Sequence, residues 1–186
     1  MTRKEILIFQ LREIRNEFQK ALTGLDAAAL TSTPIPGRRN SIGWIVCHCM
    51  RTMDRFVHTM QTGKPCAEVH PHLAPYIEHG SRDPGEDNPL PDYSGVAAAW
   101  GELQSACIGL IEKLSEEDLD GVAPHWSGRK PEIVAANCVR MINHKNAHLR
   151  QIWMLRGAMG ETEHFPHQTL RKKPEDPRGA FHAPEE

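Results

Sequence analysis

The chain has 186 residues, 39% hydrophobic and 25% charged, which is the balance of a globular domain able to bury a core without disulfide or metal staples. Its 22 basic and 24 acidic residues leave a net charge of -2, which argues against a general electrostatic footprint for nucleic acid. No apolar run approaches the ~20 residues of a membrane span, and the charged N-terminus (MTRKEILIFQLREIRNEF) lacks the apolar stretch of a signal peptide. A membrane association or a secreted scaffold is therefore not expected. Five cysteines, an odd number, fit a reducing cytoplasm better than a disulfide framework.

Prolines punctuate the chain and leave four long windows without one: 1–33, 37–64, 92–123 and 132–165. Each window has room for one long helix. The first opens with Thr2 three residues before Glu5, the spacing of a capping box. Leu7, Leu11, Ile14, Phe18, Leu22 and Leu25 then recur at three and four, which makes one apolar helix face. The second window starts at the N-cap residues Asn40 and Ser41, carries Ile42, Ile45, Cys49, Met53, Phe56 and Met60 as its stripe, and closes at Gly63 and Pro65.

In the third window Val96, Trp100, Leu103, Cys107, Leu110, Ile111 and Leu114 form the face, with Asp92 or Ser94 as cap. The fourth begins with Pro131 as a first-turn proline and Glu132 behind it. It runs through Ile133, Val139, Met141, Ile142, Ile152 and Leu155 to Arg156 and Gly157. No stretch alternates with period two between turn signals, so no strand is predicted. Four amphipathic helices predict an all-α four-helix bundle. The domain is expected over 1–160, with the polar, proline-containing residues 161–186 as a C-terminal tail. The connection between the second and third helices, 64–93, is long and holds six prolines and three histidines. A connection of that length tends to carry function or to cross over the bundle.

Eleven histidines raise the question of ligand spacing. His144 and His148 are four apart on the fourth helix, so both imidazoles lie on one face and can share a divalent ion. They fall in line with Met141 and Leu155, which turns them partly inward. Such a pair is equally at home on a solvated helix surface. His48 lies at the edge of the second helix's apolar stripe, where a hydrogen bond to a carbonyl is the simpler alternative. Cys47 and Cys49 flank it but diverge by ~100° per residue, so the three cannot share one ion. These cysteines read as small buried residues.

The stretch Asn40-Ser41-Ile42-Gly43-Trp44-Ile45-Val46-Cys47-His48, continuing to Arg51 and Asp54, resembles the second helix of the DinB/YfiT-like superfamily. His144-x-x-x-His148-x-x-Gln151-Ile152, ending in Leu155-Arg156-Gly157, resembles the last helix of the same family. The motifs stand about 90 residues apart, in the family's order, and the resemblance covers roughly residues 3–160. It implies a four-helix bundle that binds one divalent metal through His48, His144 and His148. It further implies relatives among bacillithiol- and mycothiol-dependent transferases, a maleylpyruvate isomerase domain and the metal-binding domain of ergothioneine-pathway enzymes. That last branch carries HxxxHxE, and here Arg150 stands at the acidic position.

Three neutral imidazoles would leave an ion its full charge and at least one open position, as catalytic sites do. Such an ion would generate a water or thiolate nucleophile, so hydrolysis or thiol transfer on a small molecule is the expected chemistry. Zinc or nickel suits the ligand set; a low-molecular-weight thiol is the expected cosubstrate. No residue marks itself as the general base. Asp54 is placed to orient a ligand; for it and for Arg51 the alternative is a helix-surface ion pair or a contact to another helix. Trp44 and Trp153 would wall the site or join the core. Of the loop histidines, His70, His72, His79 and His125 (beside Trp126) would be solvated or reach the site mouth. P-loop, GxGxxG and Ser-His-Asp signatures are absent. A homodimer through a helix face is expected. The alternative to an enzyme is a metal-binding bundle that acts through association or small-molecule binding.

Overall fold

Thr2 starts the first helix by the mechanism its sequence announces. Its hydroxyl accepts from the Glu5 amide at 3.2 Å, and the Glu5 carboxylate accepts from the Thr2 amide at 2.7 Å. The computed structural model describes residues 1–64, 70–84, 87–88 and 91–160. Among them are helices α1 (Arg3–Leu22), α2 (Ala27–Thr31), α3 (Ile42–Thr62), α4 (Ala74–His79), α5 (Val96–Lys113), α6 (Glu116–Asp120) and α7 (Val134–Ala158). A two-stranded antiparallel ladder joins β1 (Val122–Ala123) to β2 (Glu132–Ile133), with Val122 opposite Ile133.

The four long helices α1, α3, α5 and α7 fall in the four proline-free windows. α1 and α3 each pack on both α5 and α7, so the four surround one core. That core takes Leu11 and Phe18 from α1, Ile45, Met53 and Phe56 from α3, Trp100 and Leu103 from α5, and Met141 and Ile152 from α7. Phe18 and Trp100 stack with ring centroids 4.1 Å apart. Ser41 caps α3 by accepting from the Trp44 amide at 3.1 Å, and Gly63 ends it in the left-handed conformation at φ 68°.

Two expectations need correction. Pro131 does not open the last helix, and a strand does exist. Glu132 and Ile133 pair with β1, and α7 begins only at Val134. Extended backbone after a proline is as natural as a first helical turn, and the ladder partner lies ten residues upstream, beyond any local signal. Ile133 of β2 (50% exposed) and Val139 of α7 (42%) face outward rather than into the core. The short helices α2, α4 and α6 were also not expected. α6 carries its own capping box, Ser115 with Asp118, and receives Arg3 of α1 on Glu116 and Asp120.

The connection from α3 to α5 is structured over much of its described length. A 3₁₀ turn at Pro71–Leu73 leads into α4, which packs on α3, and a second at Tyr93–Gly95 leads into α5. Asp92 caps that second turn through the Ser94 amide at 2.9 Å. The expected tail lies outside the described residues. Among the described residues no helix is long and apolar enough to cross a membrane.

Candidate metal centre

His48 projects from α3, one turn after Trp44. His144 and His148 project from α7, one turn apart. All three are half-buried, and their ligand nitrogens lie within 4.8 Å of one another. The Nε2 atom of His144 is 3.2 Å from Nε2 of His48 and 3.2 Å from Nε2 of His148.

The outer nitrogens fix the tautomers. A carbonyl can only accept, so His48 Nδ1–H donates to the Gly80 oxygen at 3.0 Å. His148 Nδ1–H donates to the Gln151 side-chain oxygen at 2.8 Å. Both neutral rings therefore present an Nε2 lone pair to His144. The Nδ1 atom of His144 is buried with no hydrogen-bond partner in the protein. Whichever nitrogen of His144 carries its hydrogen, the protein alone leaves this set unsatisfied, with unshared pairs converging on one point. A cation there resolves the arrangement. Nitrogens bound at ~2.0–2.1 Å around a tetrahedral ion stand about 3.3 Å apart, close to the separations observed.

Burial holds all three imidazoles neutral. It is the largest cause of the lowered pKa of each, and His144, which also faces His148 and His48, is pushed down to about 3. Neutral imidazole is the ligating form.

Gly80 is the residue that makes the His48 contact possible. A Cβ at this position would collide with the backbone of Cys47 and His48, so only glycine lets the segment after α4 lie directly on α3. Trp44 supports the other side of the ring. It stacks on His48 with centroids 4.9 Å apart and planes 12° apart, and its indole N–H donates to the Arg82 carbonyl at 2.9 Å. The long connection thus serves the site by holding His48, and among its described residues none joins the three imidazoles as a ligand.

The three histidines expected from the sequence come together, and most of the other candidates do not join them. Asp54 is fully buried and accepts from both the amide and Nδ1 of His70, the latter at 2.7 Å; it anchors the connection to α3. His72 meets Glu102 of α5, and His79 meets the Tyr93 hydroxyl at 3.1 Å. Trp153 is core, with the Arg156 guanidinium 5.6 Å from its ring. Burial pushes the thiols of Cys47 and Cys138 up to about 12 and that of Cys107 to about 11, and it raises Cys49 as well. These are packing residues.

His48 and His144 form one end of a cavity of about 650 Å³. α3 adds Arg51, Thr52 and Arg55 to its wall, and α7 adds Arg140 and Asn143. The loop between β1 and β2 closes it with His125, Trp126, Ser127 and Arg129. Trp126 packs against His144 with centroids 5.9 Å apart. A second cavity of about 650 Å³ touches Trp44 and His79 but none of the three histidines, so size alone does not choose between them. The convergence of imidazoles does.

The sequence profile of the DinB superfamily matches residues 10–152. The chain belongs to the DinB superfamily. Residues 10–152 include α3, α4, most of α7 and all three histidines, so membership and geometry concern the same part of the chain. No curated protein matches this DinB-superfamily chain in sequence.

Proposed function

We propose that this DinB-superfamily protein is a four-helix-bundle metalloenzyme in which His48, His144 and His148 hold one divalent ion, zinc or nickel, for thiol transfer to, or hydrolysis of, a small molecule. The supporting observation is the pair of 3.2 Å Nε2–Nε2 separations between rings whose tautomers are set from outside. When bound, such an ion supplies Lewis acidity and lowers the pKa of a water or thiol beside it.

The chain's own groups do the rest. The Gly80 carbonyl and Gln151 orient two rings and raise their basicity. Trp44 and Trp126 shield the imidazoles from bulk water, and the adjoining cavity receives the substrate. In this reading residues 1–160 are one domain with 161–186 as its tail, the protein works in the cytoplasm, and a low-molecular-weight thiol is the cosubstrate. Ile6 (42% exposed) and Phe9 (55%) on α1 are suited to the interface of a homodimer.

One observation favours a second reading, a metal-binding bundle without catalysis. Among the described residues that line the cavity none is a carboxylate, so no general base of that kind is seen beside the imidazoles there. Metal analysis and a substrate screen separate these readings. Purified protein is expected to carry about one divalent ion per chain, and His148→Ala to lose most of it, since two ligands bind weakly. Full occupancy after His48→Ala would remove α3 from the site. Turnover of an electrophile with a low-molecular-weight thiol by the wild type, lost in both variants, supports the enzyme. A loaded protein inert across that screen supports the second reading.

A further inference from the structure

The cavity beside the three imidazoles has a charge unlike that of the chain. The whole sequence is slightly acidic, yet this wall carries Arg51, Arg55, Arg129 and Arg140 and, among the described residues that line it, no acidic one. Arg140 pairs with the Glu132 carboxylate at 2.7 Å, and that pair is at the surface.

Helical spacing explains the concentration. Arg51 and Arg55 follow His48 by three and seven residues, which keeps them on its side of α3; Arg140 precedes His144 by one turn of α7. Two helices thus present a histidine with arginine beside it to the same space.

Buried donors in that wall lack acceptors. The Nε–H of Arg55 is buried with no hydrogen-bond partner in the protein. His125 is only 2% exposed, and its Nδ1 accepts from the Ser127 amide at 3.0 Å. Its ring hydrogen therefore sits on Nε2, which is also buried without a partner. Unpartnered buried donors are expensive, and they mark places built for an acceptor.

We infer that this cavity binds a small organic oxyanion, a carboxylate or a phosphate monoester, through its arginines and His125, with the rest of the molecule lying against His48 and His144. Guanidinium groups match both anions by paired hydrogen bonds, and a concave low-dielectric wall of one sign concentrates the opposite charge. A volume of about 650 Å³ suits a small metabolite rather than a polymer. The assignment rests on the proposed function for what happens to the bound molecule. The anion contacts themselves do not need the ion.

The test is calorimetric titration with succinate, phenyl phosphate and neutral succinamide. The proteins are wild type, the double variant Arg55→Gln/Arg129→Gln and His148→Ala. One or both anions should bind with submillimolar affinity that weakens with added salt; which one binds distinguishes carboxylate from phosphate. Succinamide should bind about tenfold more weakly or worse. The double variant should lose about tenfold in anion affinity while its melting temperature and metal content stay those of wild type. His148→Ala should keep anion binding within a few-fold even as its metal is lost, so a failure of the metal reading leaves this result standing. The inference is overturned if neither anion binds, if succinamide binds equally well, or if the double variant binds like wild type. It is also overturned if binding follows the metal and ignores the arginines.

Discussion

Gly80 and His48 are locked by two contacts at once. The Gly80 backbone presses on the α3 backbone where His48 begins, and its carbonyl accepts the His48 Nδ1–H at 3.0 Å. The first contact requires the absence of a side chain; the second directs the Nε2 lone pair toward His144. Gly80→Ala should therefore act on metal as well as on stability. The new methyl meets rigid backbone, so overpacking of about 1–3 kcal/mol is expected in urea denaturation. Displacing the carbonyl should weaken metal binding by about 10–100-fold. Competition with a chromogenic chelator measures that loss. An unchanged metal affinity in a folded variant would show that the Gly80 carbonyl does not orient the ring.

The metal-free protein should be acid-sensitive in a defined window. Burial lowers the pKa values of His48, His144 and His148 below the ordinary ~6.5, that of His144 to about 3. Below pH ~6.5 the unfolded chain takes up protons on these rings and the folded chain does not. Their effect is then a loss of stability as pH falls from ~6.5 toward the folded values, with no dependence from them above it. For His144 alone the loss at pH 5 is up to about 2 kcal/mol. Chelator-treated protein melted between pH 5 and 8 should show this slope, and His144→Leu should flatten it. A slope of the same size in that variant would place its origin elsewhere.

Much of this was legible in the chain. The capping box, prolines and apolar stripes are local signals; α1, α3 and α5 lie where they put them, and α7 does so from Val134 on. His144 and His148 share a helix face by spacing, and His48 was found by its motif. What eluded the sequence depends on contacts between distant segments. Gly80 looks like any loop glycine until α4 is laid on α3. His125 sits in a turn where histidines are usually solvated, and only the β1–β2 ladder folds it into the cavity wall. Asp54, nearly two turns beyond His48, was as well placed in sequence to support a ligand as to form a surface ion pair or contact another helix; in the structure it holds His70 of the α3–α5 connection.

Arg156 shows the same dependence. In sequence it is a cation before a glycine at a helix end, suited to its own helix's dipole. In the structure it is 2% exposed and reaches α1, donating to the carbonyls of Ala21 at 2.8 Å and Thr23 at 2.9 Å. It thereby satisfies the C-terminal end of another helix. Arg156→Met keeps much of the volume but leaves those acceptors without their charged donor. A loss of about 2–4 kcal/mol is expected in urea denaturation. The metal content of the refolded variant should match wild type, since Arg156 acts on α1 and not on the imidazoles. A loss below about 0.5 kcal/mol would mean water serves the α1 carbonyls as well as the guanidinium does.

The cysteines provide the sharpest test of a metal-centred mechanism. Four thiols lie in the core, and burial holds every one of them protonated at neutral pH. A thiol is a nucleophile only as the thiolate. Cys47, Cys49, Cys107 and Cys138 should therefore be replaceable one at a time by alanine with retention of metal and of any thiol-transfer or hydrolytic activity. Each substitution removes a small buried side chain and should cost about 1–2 kcal/mol of stability, so melting temperatures fall while turnover persists. Cys47 is the informative position, because it adjoins His48 in sequence and touches Gly80 in space. Alkylation of native protein with iodoacetamide should likewise leave these four unmodified, with labelling only after denaturation. A Cys47→Ala protein that keeps its fold and its metal yet loses all turnover would move the nucleophile from the ion to a protein sulfur.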